Sequence, residues 1–489
     1  MDSNNNNIYT QIVKYTGIFG SIQGISVMTG VIRNKITALL LGTMGMGMMS
    51  LLNSTVIFLS QATSMGLAYS GVREIAACKE RGDQAGIERY AAIIRAWSLL
   101  AALTGMAICA LSSKWIDKLT FTWGDHSLHY LLLSPSLALM AITAGETAIL
   151  KGLHRLKALA VIQMITAFGA LVITAPLLYF FNQAAIVPII GLIAMVTMIA
   201  TIFYSFATVK PRIGNWRMWY GRWKRLIAEG RPMVRIGLAF VTAMAIGSAS
   251  ELIIRAYLNV KADLDTVGLY NAGYLLAITY AGLFFTSLES DYYPRLSAVN
   301  NDITKINQLV NYQTEVSLTL ISPMMCVFIL LLPTIVPVLF SEKFNAAIPM
   351  AQATALTMMC KSACLPVSYV MLAKGDSRIY IFLESLSYLM TIAGVIAGYT
   401  YGGLTGTGVG LTMAYAAELT INSVCLHFRY GLKQNGKLIT YFASHVAMVG
   451  AVYASTYIPD DVTRWSTGTG ITAICAAYSA KSLKSNLRH

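Results

Sequence analysis

Apolar residues run along this chain in blocks of roughly 20, divided by short polar or basic stretches. A helix of about 20 apolar residues crosses the hydrocarbon core of a bilayer. Several blocks hold β-branched residues and glycines that a soluble helix avoids and a membrane helix accepts. The pattern predicts about fourteen spans, near 10–32, 41–63, 88–111, 128–150, 157–181, 184–207, 234–256, 267–291, 315–340, 349–372, 378–400, 403–427, 436–457 and 464–482. No stretch between them holds a large soluble domain. The expected class is an all-α polytopic membrane protein.

Composition agrees with the pattern. Only 12% of the 489 residues are charged, against about 25% in soluble domains. The opening MDSNNNN is polar and lacks a charged region with a cleavage site, so it reads as a cytoplasmic leader to the first span. The net charge of +14 suggests nucleic acid until topology is considered. Basic inner loops account for it, and no nucleic-acid partner is expected. The seven cysteines form no Cys-x-x-Cys pair. Cys360 and Cys364 share a helix face, but two thiols without further ligands make a weak metal site. No cofactor or metal is expected. His126 and His129 stand three apart, and an outer-loop surface role suits them better than metal binding.

Placing the N-terminus inside puts 26 of the 36 Lys and Arg on inner segments and seven on outer loops, the bias that keeps positive loops cytoplasmic. Both termini are then cytoplasmic. The longest inner loop contains NWRMWYGRWKRLIAEG, residues 215–230. Trp216, Trp219 and Trp223 share one helical face, while Arg217, Arg222, Lys224 and Arg225 mostly lie off it. Such a helix suits the headgroup layer of a phospholipid bilayer; a loop packed on the bundle is the alternative.

Lys151-Gly152-Leu-His-Arg155 and Lys374-Gly375-Asp-Ser-Arg378 repeat one pattern 223 positions apart. Thr43-Met44-Gly45 and Thr266-Val267-Gly268 keep that offset, and Pro188 to Leu192 faces Gly408 to Leu411 at 219. Two copies of six spans each share one orientation, which is a parallel repeat about an axis along the membrane normal. The expected organisation is an N-terminal six-helix lobe (1–207), a linker with the interfacial helix (208–232), a C-terminal six-helix lobe (233–430), and two further helices with a basic tail (431–489). Gly152 and Gly375 are expected to permit sharp inner turns. A substrate site between the lobes, reached by rocking, follows from such a repeat.

Three stretches carry a family resemblance. They are the run LLLGTMGMGMMSLLNSTVIFLSQATSMGLAYSGVREIA with its Gly66-Leu-Ala-Tyr-Ser-Gly71-Val72-Arg73, then Tyr293-Pro294-Arg295-Leu296-Ser297, and Ser341-Glu342-Lys343-Phe344 followed by LAKGDSRIYIFLE. Over about residues 10–430 the chain resembles Wzx-type polysaccharide flippases of the multidrug/oligosaccharidyl-lipid/polysaccharide exporter superfamily. The resemblance implies a flippase moving undecaprenyl-pyrophosphate-linked oligosaccharide, an O-antigen-type repeat unit, to the periplasmic leaflet of a bacterial inner membrane. It also implies polymerase and other assembly proteins as partners. Many such proteins have twelve spans; relatives that flip the peptidoglycan precursor have fourteen, as here.

Charges inside spans are costly and mark candidate sites. The expected substrate-binding set is Arg33, Lys35, Arg95, Arg255 and Lys361. Arg33 and Lys35 sit in the outer loop 33–40, where cavity and lipid headgroups compete for them. Arg95 lies near an inner end and can snorkel. Arg255 follows Glu251 by four residues, a same-face pair, and Lys361 either meets a pyrophosphate or pairs with a glutamate. The expected ion-coupling set, for a proton or sodium ion, is Glu418, Glu146 and Glu251. Glu418 is the deepest acid, with Lys361 or Arg255 as an alternative counter-ion. Glu289, Asp291 and Glu384 are expected solvated or paired near inner ends, and Tyr270, Tyr274 and Tyr280 could face sugar or simply pack. A drug antiporter of the same superfamily is the first rival, with an acidic or aromatic cavity as its mark. A membrane glycosyltransferase, polymerase or ligase is the second. The short outer loops and the absence of a nucleophile–base constellation speak against an enzyme.

Overall fold

The computed structural model of the chain describes residues 2–121, 123–210 and 216–486, with side chains from residue 24 onward outside 216–222, 236, 239, 240, 243, 286–291 and 485–486. Among these it is all helix: α1 (Asp2–Thr63), α2 (Leu67–Glu80), α3 (Gln84–Thr120), α4 (Ser127–Gly152), α5 (Leu156–Phe181), α6 (Ile186–Thr208), α7 (Trp216–Lys261), α8 (Leu264–Tyr274), α9 (Ala281–Ala298), α10 (Ile303–Leu339), α11 (Ile348–Ala373), α12 (Ser377–Tyr430), α13 (Gly436–Ser455) and α14 (Asp461–Asn486). Among the described residues nine helical stretches are long and apolar enough to cross a membrane, three of them running 40, 53 and 54 residues. Those three are double passes, broken at Gly42, at 182–185 and at Gly402–Gly403. Helices satisfy their own backbone, which is why apolar runs of this length fold this way in lipid.

The expected outer loop at 33–40 is corrected: α1 stays helical to Gly42, where φ is 66°. Glycine alone takes that conformation without a Cβ clash, so the turn collapses onto one residue. Arg33 and Lys35 therefore stand on a helix. The expected eighth span is α8 and α9 joined by a π segment, Leu275–Tyr280.

Two compact units divide at Asp263 and Leu264. In the N-terminal unit, Leu67, Ile75, Ile94, Trp97, Ile149 and Val234 form one apolar cluster, tying α7 to α2, α3 and α4. Gly66 (φ +70°) meets Gly237 so closely that a Cβ on Gly66 would lie 2.2 Å from the Gly237 carbonyl carbon. The tryptophan-rich stretch is the first part of α7 itself, one helix with the span that follows. There Leu226 and Ile227 pack on the apolar cluster and Glu229 pairs with Arg89 at 3.1 Å. The side chains of Trp216 and Trp219 lie outside the described residues. In the C-terminal unit α10, α11, α13 and α14 share a core around Leu318, Met325, Met358, Tyr441, Val452 and Cys475. The last two helices are thus built into that unit.

Both Lys-Gly-x-x-Arg stretches close a helix. Arg155 N–H bonds Leu150 O at 2.9 Å, and Asp376 N–H bonds Met371 O at 3.0 Å. This is the six-to-one closure of a Schellman end. The closing residues are 221 apart, not 223. Gly375 holds the left-handed position (φ 72°), but in the first turn His154 does (φ 53°). Gly152 is corrected accordingly: it is buried in α4, where a Cβ would meet Ile75 Cβ at 2.6 Å. His126 is also corrected. It is buried, not on the surface, 3.2 Å from His129 and against Phe121 and Trp123.

Candidate functional site

The N-terminal unit carries an open cavity of about 480 Å³ between α1, α4, α5 and α6. A volume of 300–1,000 Å³ suits a small ligand or head group. The α1 wall is Ser26, Thr29, Gly30 and Arg33; steps of three, four and seven put these on one helical face. Lys35 falls on another face and does not line the space. Thr143, Thr147 and Lys151 line it from α4, Gln163 and Thr166 from α5, Thr197 and Thr201 from α6. No carboxylate stands among the described lining residues.

The hydroxyls divide into two kinds. Thr29, Thr143, Thr197 and Thr201 each donate to the carbonyl four residues back, at 2.7–2.8 Å. Those oxygens keep acceptor capacity. Ser26 Oγ and Thr166 Oγ1 are buried and make no hydrogen bond within the protein. Buried polar atoms normally have partners, and these two lie behind the lining rather than on its open surface.

Beside the cavity stands a closed ionic network. Arg95 on α3 donates Nε to Glu146 Oε1 at 2.8 Å and Nη2 to Glu146 Oε2 at 3.2 Å. Arg95 Nη2 also donates to Val209 O at 3.0 Å, and Ser205 Oγ donates to Glu146 Oε2 at 2.5 Å. The Phe206 ring lies 4.6 Å from the guanidinium carbon. Glu146 is 4% exposed. Arg95 therefore does not snorkel; it and Glu146 hold each other and join α3, α4 and the end of α6. Arg255 and Glu251 make the expected i,i+4 pair at 2.9 Å, and Arg255 Nε donates to Ser50 Oγ at 2.9 Å.

A second cluster lies in the C-terminal unit. Glu418 accepts from Ser387 Oγ at 2.6 Å and from Cys364 Sγ at 3.3 Å. Glu384 interacts electrostatically with both Glu418 and Lys361. Lys361 Nζ stands 5.7 Å from the Phe285 ring centre. Glu384, expected solvated or paired near an inner end, is thus a member of this group. Lys361 and Glu418 were legible as charges in spans; Glu384 was missed because it lies only eight residues into its helix. The side chains of Glu289 and Asp291 lie outside the described residues. Tyr270 is buried and stacked on Tyr274, with centroids 5.9 Å apart, which is packing. Lys374 Nζ donates to Asn300 O, and Lys79 Nζ to Leu153 O at 2.9 Å, so the basic turns are braced by carbonyls. No His, Cys, Asp or Glu group suited to a metal occurs among the described residues.

These features define a multi-pass membrane protein with the fold of the multidrug/oligosaccharidyl-lipid/polysaccharide superfamily. An inward-facing multidrug resistance MATE family transporter of that superfamily superposes with a TM-score of 0.69 at 12% identity, over 83% of this chain and 94% of its own. The lipid II flippase MurJ, inward closed, gives 0.69 at 14% identity over 95% and 99%. A superfamily transporter from Pyrococcus furiosus, described as having a binding pocket of reversed polarity, gives 0.61 at 12% over 86% and 97%. At these identities the likeness carries the fold. The model of the polysaccharide biosynthesis protein family matches residues 12–300, and the chain belongs to that family. Among curated proteins none matches it.

Proposed function

We propose that this protein is a flippase for an undecaprenyl-pyrophosphate-linked oligosaccharide. It carries the lipid-linked glycan from the cytoplasmic to the periplasmic leaflet of a bacterial inner membrane by alternating access, for a cell-surface polysaccharide such as O-antigen. The observation that carries the reading is Arg33. It is a half-buried cation on a membrane-length helix, at the wall of a mostly apolar cavity dotted with hydroxyls, whose described lining has no carboxylate. A buried guanidinium suits a phosphate, which it meets in a planar, bidentate way. A cationic drug would need the opposite sign, which disfavours the antiporter reading. Membership of a polysaccharide biosynthesis family supports the same cargo. Arg255 and Lys361 are further basic groups for the pyrophosphate or for helix pairing, and Lys35 is a headgroup contact. The Glu384 and Glu418 pair is the proposed ion-coupling site for a proton or sodium ion. Glu146 and Glu251, each held by an arginine, are assigned to structure.

The test is genetic. In a strain lacking its own repeat-unit flippase, the wild-type chain should restore surface glycan and clear the accumulated lipid-linked intermediate. The reading falls if the chain does neither and the purified protein instead drives cationic dyes against a proton gradient.

A further inference from the structure

We infer that His126 and His129 form an acid-sensitive latch. On the side of the membrane that the α3–α4 turn faces, protons part the two rings, open the turn and release the C-terminal end of α7 from it. The inference goes beyond the cargo and does not depend on it. The rings meet Nδ1 to Nδ1 at 3.2 Å. That contact is a hydrogen bond only while one Nδ1 carries a proton and the other is bare; two imidazolium rings turn two donors and two positive charges on each other. The pair therefore holds only while at least one ring is neutral. His126 is buried, with the Phe121 ring centre at 4.2 Å and that of Trp123 at 4.7 Å, and its Nε2 is buried without a hydrogen-bond partner. Asp117 of α3 faces both residues: its Oδ1 accepts the His126 backbone N–H at 3.2 Å, and it interacts electrostatically with His129. Asp125 also faces His126, but it is exposed, near Lys114, and accepts from Ser127. Tyr130 of α4 shares a hydrogen bond with Thr120 Oγ1 at 2.8 Å, and Cys109 of α3 donates to Tyr130 O at 3.4 Å. Thr55 of α1 and Asn259 of α7 reach this turn and do not titrate. Asn259 gives the latch its load. It is 2% exposed and donates Nδ2 to Thr120 O at 2.6 Å, which ties the end of α7 to the last residue of α3. The next residue, Phe121, is the one His126 packs against, so parting the rings loosens that seat.

The opened turn leaves both rings in water, where histidine titrates near about 6.5. In acid the closed pair binds one proton fewer than the opened one. Closure is therefore favoured above about pH 6.5 and weakens about tenfold per pH unit below it. Hydrogen–deuterium exchange on the full chain in nanodiscs, corrected for the intrinsic effect of pH, reads the opening. From pH 7.5 to 5.5 peptides over 117–130 and 255–261 should exchange about tenfold faster in the wild type. His129→Gln keeps a hydrogen-bonding group against His126 and cannot take a charge, so both stretches should stay protected at pH 5.5. Asn259→Ala cuts the tie alone: 255–261 should already exchange faster at pH 7.5, while 117–130 still responds to acid. Wild-type protection that is the same at both pH values, or a His129→Gln variant that opens in acid as the wild type does, overturns the latch. Acid opening of 117–130 with 255–261 unmoved overturns the release of α7. No cargo enters the measurement, so its failure leaves the flippase reading standing.

Discussion

Replacing Arg95 or Glu146 singly should weaken the N-terminal unit far more than replacing both. The two groups make a bidentate pair at 2.8 and 3.2 Å, with side chains 17% and 5% exposed. Arg95→Leu strands the Glu146 carboxylate with Ser205 as its remaining donor. Glu146→Leu strands the guanidinium against Val209 O and the Phe206 ring. Breaking such a pair from one side costs about 3–5 kcal/mol, whereas an apolar pair of similar volume is near neutral. Arg95 retains some water, so the lower end, about 3 kcal/mol, is expected for each single variant. The Arg95→Leu/Glu146→Leu double variant should lose about 1 kcal/mol. The coupling energy from this cycle should therefore exceed about 3 kcal/mol. Reversible unfolding of the reconstituted protein measures all four corners. Additive effects, or singles as stable as wild type, would refute the assignment of this pair to structure. A Glu146→Gln variant that is stable yet uncoupled in transport would return Glu146 to ion coupling.

Other consequences follow from single positions. A Cβ at Gly398 would lie 2.0 Å from the Gly406 carbonyl oxygen, while Gly402 has nothing within 4 Å; Gly398→Ala should cost about 1–3 kcal/mol and Gly402→Ala little, read by denaturant midpoint. His154→Gly should raise stability by about 0.5–1 kcal/mol by relieving its φ of 53°, and Gly375→Ala should lower it by about 1 kcal/mol. Hydrogen bonds from Arg429, and next from Tyr430, hold the Asp376 carboxyl in the α11–α12 turn below the usual carboxylate range. A lowered folded-state value means stabilisation present above the unfolded value of about 4 and lost as pH falls through the lowered one. Melting curves of Asp376→Asn should therefore stay offset from wild type by a constant amount above about pH 5 and converge only in stronger acid.

The spans were legible because every helix must hide its own backbone in lipid, and the apolar blocks report that directly. The misplaced loop at 33–40 came from reading Arg33 and Lys35 as surface charges. The 26, 29, 30, 33 spacing already described one polar helix face, and only the cavity behind it explains why a charge can stay there. Gly152 and Gly375 looked equivalent at 223, yet the turns close at 221. One glycine serves a left-handed residue and the other a tight contact with Ile75, and sequence alone does not separate these uses. Arg95 and Glu146 are 51 positions apart, and Glu384 and Glu418 are 34 apart. No local period links such partners; helix packing does. The Gly394-x-x-x-Gly398 and Gly406-x-x-x-Gly410 faces of α12 are a signal that sequence reading could have used, since Gly410 O lies 2.5 Å from a Cβ built on Gly394.

The central claim is that the cargo is a lipid-linked anionic glycan engaged through Arg33. Its most direct measurement is flipping in proteoliposomes of a fluorescent undecaprenyl-pyrophosphate-linked oligosaccharide, followed by access of an impermeant quencher. Wild-type protein should give quenching beyond the outer-leaflet fraction, and well-folded Arg33→Ala should lose that excess. Quenching confined to the outer leaflet with wild-type protein, or equal flipping by Arg33→Ala, would contradict it.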